Sequence, residues 1–284
     1  MPTSLIASRV LPIARRATLA LVTALGLVAL AGPSAQAQTD KRVSDAIAQY
    51  RSMLADGNPS ELFEAKGEEL WKTPRGPKNA TLERCDLGKG AGVVKGAFVE
   101  LPRYFADTGR VQDLESRLLT CMAVLQGFDA AQIAATPFGS GEQKTMESLV
   151  AWVSSESNGM RFNVPQGAAA ERQMYAVGKQ LFYYRAGPYD FACATCHGEA
   201  GKRIRLQDLP ALNANPGDGV GFAAWPAYRV SSGELWSMQH RLNDCFRQQR
   251  FPYPGYASDA TIALATYMGV NSKGSVSIAP AIKR

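Results

Sequence analysis

Five cysteines and two histidines hold most of the reactive chemistry available to this chain of 284 residues. Cys193-Ala194-Thr195-Cys196-His197 has the C-x-x-C-H spacing of covalent c-type haem attachment. Two thiols so spaced reach the two vinyl groups of one porphyrin edge as thioethers, and the adjacent imidazole reaches the iron from the same turn. A structural disulfide, a thioredoxin-type redox pair and a zinc half-site share the spacing. The redox pair belongs in a βαβ context, and zinc needs two further ligands at ordinary spacing. The sequence offers neither.

An internal repeat gives the other cysteines a context. With an offset of 111 residues, Gly67-Glu68-Glu69-Leu70-Trp71 aligns with Gly178-Lys179-Gln180-Leu181-Phe182, Gly76-Pro77 with Gly187-Pro188, and Cys85 with Cys196. Leu82 then falls on Cys193 and Asp86 on His197, so the first half reads L-x-x-C-D where the second reads C-x-x-C-H. This is the pattern of a haem site that has lost one thioether cysteine and its axial histidine. Further on, Arg117-Leu118-Leu119-Thr120-Cys121 matches Arg241-Leu242-Asn243-Asp244-Cys245, with 13 extra residues in the second half. In a haem-bearing repeat the downstream cysteine sits where the sixth iron ligand belongs. With no haem in the first half, Cys85 and Cys121 face each other across the vacated site and could close a disulfide.

Four residues compete for the sixth position: Cys245, His240, Met238 and Met268. Met or His is the usual distal ligand of c-type cytochromes, and a lone Cys is usually a small buried hydrophobe. The repetition favours Cys245, because His240 corresponds to Ser116 and Met238 to Leu114. Basic residues crowd the same segment: Arg229, Arg241, Arg247 and Arg250. On a helix Arg241 lies one turn before Cys245 on the same face. There it can lower the thiol pKa and offer a fork of donors to an oxyanion. Arg247 points elsewhere and, like Arg250, reads first as part of a solvated basic face.

The elements that must position these residues read as mainly α, in two tandem cytochrome c-like domains of which the first lacks haem. Apolar periodicity predicts helices over Val43–Ala55, Pro59–Trp71, Leu114–Leu125 with Gly127 as stop, and Glu147–Ser155 in the first half. The second half carries helices over Ala170–Tyr184, Gly233–Arg250 and Asp259–Met268. A Gly-, Pro- and Asn-rich loop, Asp208–Pro226, suits wrapping a porphyrin edge rather than forming a sheet. Pro165 and Gly167 interrupt the pattern and mark the boundary between domains 38–165 and 166–284.

Residues 1–37 read as a cleaved export signal: Arg15-Arg16, an apolar run from Ala17 to Ala31, then Ala35-x-Ala37. The run is shorter than the ~20 residues of a membrane span, so the mature chain is expected in the periplasm with no span of its own. Composition is that of a globular protein, 46% hydrophobic and 20% charged, which excludes disordered and collagen-like classes. The net charge of +6 falls to +3 without the leader's three arginines, too mild to argue for nucleic acid.

The C-x-x-C-H motif, the Arg241-x-x-x-Cys245 segment and the two tandem halves resemble the SoxA family, the larger subunits of the SoxAX cytochrome complexes of thiosulfate-oxidising bacteria. Some members hold haem in both halves. Leu82 and Asp86 depart from them, so the resemblance implies the single-haem branch, with a Cys85–Cys121 disulfide in place of the first cofactor. It implies one haem c on Cys193 and Cys196, with His197 as proximal and Cys245 as distal axial ligand. The implied activity is that of an L-cysteine S-thiosulfotransferase. Thiosulfate is oxidatively coupled to a cysteine of the SoxYZ carrier complex, and two electrons leave through haem. Cys245 would also be the reactive sulfur, carried as a persulfide, and Arg241 would hold the sulfonate end of the anion. A smaller c-type cytochrome, SoxX, is the implied partner in a heterodimer. From the residues alone, an electron-transfer cytochrome without chemistry at sulfur stays open. A peroxidase-like enzyme needs a second haem, against which the degenerate first half argues.

One covalent haem per chain is the expected stoichiometry, because Leu82 cannot form a thioether and Asp86 is a poor iron ligand. A pyridine haemochrome assay with intact mass checks this. Two haems would overturn the degenerate-repeat reading.

Overall fold

Helix pairs that cross at a glycine organise both halves. The computed structural model describes residues 57–204, 207–213 and 221–283, with a few positions between 41 and 52. The leader and most of the predicted helix Val43–Ala55 lie outside the described residues. In the first half α1 (Ser60–Lys72) leads, through a short hairpin of β1 (Arg103–Phe105) and β2 (Arg110–Gln112), to α2 (Leu114–Cys121). Then come α3 (Ala130–Ala135) and α4 (Gly141–Ser155). The second half repeats the plan with α5 (Ala169–Tyr183), the single turn α6 (Cys193–His197) and a small ladder of β3 (Arg203–Ile204) and β4 (Gln207–Asp208). It continues with a hairpin of β5 (Ala227–Arg229) and β6 (Glu234–Trp236), then α7 (Met238–Gln248) and α8 (Asp259–Asn271). The last strand, β7 (Ala281–Lys283), joins β5 in parallel.

The crossings explain the shared Gly-x-x-Leu-aromatic pattern. A Cβ on Gly67 would collide with the carbonyl of Ser148, and one on Gly178 with the carbonyl of Ala263. Only glycine lets α1 meet α4, and α5 meet α8, at this separation. One turn further on, Trp71 packs on Trp152 with ring centroids 5.2 Å apart, and Phe182 on Tyr267 at 5.1 Å. The hairpins match at an offset of 124 residues: Phe105 pairs with Arg110 as Arg229 pairs with Glu234. Each hairpin leads into a capped helix. Asp113 accepts the Ser116 N–H, and Ser237 the His240 N–H.

Several predicted elements differ in extent. Gly233–Arg250 is not one helix: Glu234–Trp236 is strand, because it pairs with β5, and the helix begins after the Ser237 cap. Leu114–Leu125 is α-helical to Cys121, then passes into a π turn that Gly127 ends with a left-handed φ of 81°. The predicted Glu147–Ser155 helix starts six residues earlier, at Gly141. The segment around the predicted boundary is anchored on both sides. Phe162 packs edge-on between Phe98 and Phe222, and the Asn163 N–H donates to the Val99 carbonyl. Residues 43 to 284 accordingly form one compact unit.

The contact between halves is polar as well as apolar. Glu115 is buried and accepts the Gln239 N–H at 3.2 Å and the Tyr256 hydroxyl at 3.0 Å, while the Gln239 amide donates to Asp113 at 2.6 Å. Burial, and then the neighbouring Asp113 charge, push the Glu115 carboxyl up to about 8. Between about pH 4.5 and 8 the folded protein keeps this proton and the unfolded chain loses it. Stability therefore falls as pH rises through that window and levels off above it. The expected contribution is of the order of 4 kcal/mol. Denaturant midpoints measured from pH 5 to 8 should show this decline in the native chain, and Glu115→Gln should flatten it. A slope unaltered in Glu115→Gln would contradict the assignment.

Candidate functional site

In the first half the positions that match the C-x-x-C-H motif are taken up by protein contacts. Cys85 and Cys121 are joined in a disulfide with Cα atoms 5.5 Å apart, and both are buried. Leu82, in the place of Cys193, is fully buried in the core. Asp86, in the place of His197, turns its carboxylate back to the N–H groups of Gly88 and Gly90. Its carbonyl accepts from Arg117 Nε at 2.6 Å. The Arg117 guanidinium lies over the Phe105 ring at 4.0 Å and pairs with Asp107 at 2.8 Å.

In the second half the same positions hold free thiols and an imidazole. Cys193 and Cys196 share the turn α6, which Thr195 closes by accepting the Ala192 N–H at 2.9 Å. His197 Nδ1 lies 2.9 Å from the Pro210 carbonyl. A carbonyl can only accept, so the proton sits on Nδ1 and the Nε2 lone pair is left for a metal. Burial, opposed by that hydrogen bond and reinforced by Arg241, holds the imidazole pKa below its ordinary value and the ring neutral. The loop beyond is fastened to the same turn. Leu212 N–H donates to the His197 carbonyl, and the Asn213 amide to the Gly198 carbonyl at 2.8 Å.

Helix α7 brings Cys245 against this turn. Its thiol interacts electrostatically with Cys196 and with Cys193, whose own pKa burial pushes up to about 12. Burial raises the Cys245 pKa as well. Arg241 and Arg229 pull it down, but desolvation outweighs them, so the expected net lowering by arginine does not occur. Arg241 donates to Asp244 at 3.1 Å, and Asp244 also receives Arg247 at 2.6 Å and Gln248. Arg250 lies beyond the helix, over the Tyr189 ring at 5.5 Å.

The other sixth-ligand candidates lie elsewhere. His240 is sandwiched between Phe138 at 4.3 Å and Trp236 at 4.2 Å, with Nδ1 3.5 Å from Glu147, so it faces the first half. Met238 lines a small cavity with Phe98, Leu101 and Trp225. Met268 is buried in α8. Two thiols on one turn, a neutral imidazole with free Nε2 and an opposing thiol form a donor set that fits haem c. Sequence reasoning noticed Arg229 without giving it a role, and it passed over Asp244. The Arg-x-x-Asp-x-x-Arg spacing on α7 could have revealed Asp244. Nothing in the sequence marks Pro210 as the histidine's acceptor.

Comparison with known proteins agrees with this geometry. The model of the SoxA/TsdA cytochrome c domain matches twice, over residues 66–162 and 177–276. The L-cysteine S-thiosulfotransferase subunit SoxA of Hydrogenophilus thermoluteolus is 53% identical over 93% of this chain and 97% of its own. A subunit of the same name from Hydrogenobacter thermophilus is 31% identical over 94% and 96%. The crystal structure of SoxXA from P. pantotrophus superposes with a TM-score of 0.69 at 22% identity, covering 83% of this chain and 84% of that one.

His240→Phe should leave the visible haem spectrum unchanged, since a phenyl ring can keep the stack between Phe138 and Trp236. Absorption spectra of the oxidised and reduced protein check this. A changed axial-ligand signature would place His240 on the iron.

Proposed function

The chain belongs to the SoxA/TsdA cytochrome c family and has the function of an L-cysteine S-thiosulfotransferase subunit in sulfur oxidation, and from that membership we propose how its own residues divide the work. Cys193 and Cys196 would hold a single haem c by thioethers, His197 and Cys245 would supply its iron ligands, and Cys245 would also be the reactive sulfur. Arg241 binds the sulfonate end of thiosulfate. The observation that carries this reading is the half-buried, unpaired Cys245 thiol, one helical turn from Arg241 and electrostatically coupled to both motif cysteines.

The chemistry balances on these groups. A carrier thiol and thiosulfate give a sulfonate-capped disulfide, R–S–S–SO3−, with one proton and two electrons, as a new S–S bond forms and the S–H bond is lost. Bound haem supplies an acceptor that takes electrons one at a time. Cys245, as the persulfide implied by the family, carries sulfur at the point where the new bond forms. Its thiol is kept neutral by burial, and Arg241 and Arg229 favour the thiolate. His197 holds its proton at Nδ1 against Pro210, which fixes the ring for ligation. Because one haem accepts one electron, a smaller c-type cytochrome, SoxX, is proposed as partner in a heterodimer, with SoxYZ as sulfur carrier. We place the cleaved, mature protein in the periplasm, with domains 38–165 and 166–284 after a 37-residue leader.

Cys245→Met should keep the haem attached, because the thioethers lie elsewhere, and abolish thiosulfate coupling, because a thioether cannot become a persulfide. Arg241→Ala should leave Asp244 satisfied by Arg247 and Gln248. A charge-assisted contact contributes roughly 1.5 to 3 kcal/mol, so kcat/KM should fall by about 10- to 150-fold. Full activity in Cys245→Met would reduce the protein to an electron-transfer cytochrome.

A further inference from the structure

Arg229 closes strand β5, half-buried, with no hydrogen bond from its Nε to any described residue. It pairs in register with Glu234, but that carboxylate lies against Gly139 of the first half. The Arg229 guanidinium sits over the Trp236 ring at 5.2 Å, and its Nε is buried without a hydrogen-bond partner. No acid pairs with it among the described residues. The charges that act on it are Arg241, Asp244 and the Cys245 thiol, and burial together with Arg241 weakens its hold on its proton.

The first half supplies an internal control. There the position of Arg229 is Phe105, on which Arg117 stacks at 4.0 Å, and the position of Ser231 is Asp107, which pairs with Arg117. The closed half thus holds one guanidinium, one aromatic ring and one carboxylate. The open half exchanges the ring for a second guanidinium and the carboxylate for a hydroxyl. Asp244 answers part of this charge, yet its oxygens are already shared by Arg241, Arg247 and Gln248. Two guanidiniums near one thiol, one with a buried N–H that lacks a partner, attract an anion placed between them, and a dianion gains about twice the Coulomb attraction of a monoanion there.

We propose that Arg229 is a second anion-binding residue of this site, forming with Arg241 a two-guanidinium clamp that selects a dianionic sulfur oxyanion over a monoanion as it meets Cys245. The clamp rests on the reading of Cys245 and Arg241 given above. In the closed half, an arginine at position 105 would face no thiol and no ligand, which accounts for the phenylalanine there.

The test compares two probes with a terminal sulfur, thiosulfate as the dianion and methanethiosulfonate as the monoanion. Binding is titrated calorimetrically to the haem-loaded complex without carrier protein, and the thiosulfate KM and kcat are measured with it. Arg229→Phe installs the first half's own residue. It should weaken thiosulfate binding and raise KM about tenfold or more, change methanethiosulfonate binding less than threefold, and leave the haem spectrum native. Arg229→Lys should recover part of the loss, since it keeps charge without the planar fork, and it provides the comparison if the phenylalanine variant fails to fold. Unchanged thiosulfate affinity in Arg229→Phe, or in Arg229→Lys should that be the variant that folds, together with weakened binding in Arg241→Ala, would overturn the clamp and leave the Cys245–Arg241 reading standing. Equal weakening of both anions would also overturn it. Full turnover in Cys245→Met would sink the sulfur chemistry instead, while the binding titrations still decide Arg229.

Discussion

The approach of two helices at a glycine is the constraint on which the rest depends. Where α5 meets α8, Gly178 lies against the Ala263 carbonyl, with no room for a methyl group between them. Stacking of Phe182 on Tyr267 one turn away locks the crossing. The turn that follows α5 delivers the C-x-x-C-H helix, and the loop fastened to it positions the Pro210 carbonyl. A larger residue at 178 would displace the frame from which the haem-binding groups are hung. The first half keeps the same crossing at Gly67 and Ser148 although it has lost the ligands. The frame is thus required for packing, whether or not a site is built on it.

Given one frame, the two halves differ in how they satisfy the centre. The first half fills it with protein: a disulfide, a buried leucine and an arginine neutralised by Asp107 and stacked on Phe105. The Asp86 carboxylate and the Arg117 guanidinium both have partners within that half. The second half keeps three cysteines out of disulfides and, among the described residues, leaves the Arg229 Nε–H buried without a hydrogen-bond partner. Buried polar groups are normally satisfied, so this donor marks a place where an outside group can bind.

Burial and charge pull in opposite directions at Cys245. Removing a thiol from water favours its neutral form, and the two nearby arginines favour the thiolate. Burial prevails, so the thiol pKa lies above its ordinary value. Coordination or a bound anion changes that balance without moving the backbone, because α7 is held by the Ser237 cap and by the Gln239 contacts to the first half. The first half thereby serves the second as its wall. His240 illustrates this: it is a stacked element of the contact between halves, in reach of Phe138 and Glu147.

Spacing along the chain was enough to identify the turn at Cys193–His197, the internal repeat and most of the long helices, because each rests on contacts between residues a few positions apart or on a pattern that recurs. The same local logic failed for Glu234–Trp236, which reads as helix in sequence and is strand because β5 lies beside it. Among the four sixth-ligand candidates the sequence could only rank. Folding separated them, by placing His240 in the contact between halves and Cys245 beside the motif cysteines. Pro210 as the histidine's acceptor and Arg229 as a guanidinium without an acid among the described residues were decided by tertiary structure alone. Each depends on atoms brought together from distant segments, and no periodicity within a segment records such a meeting.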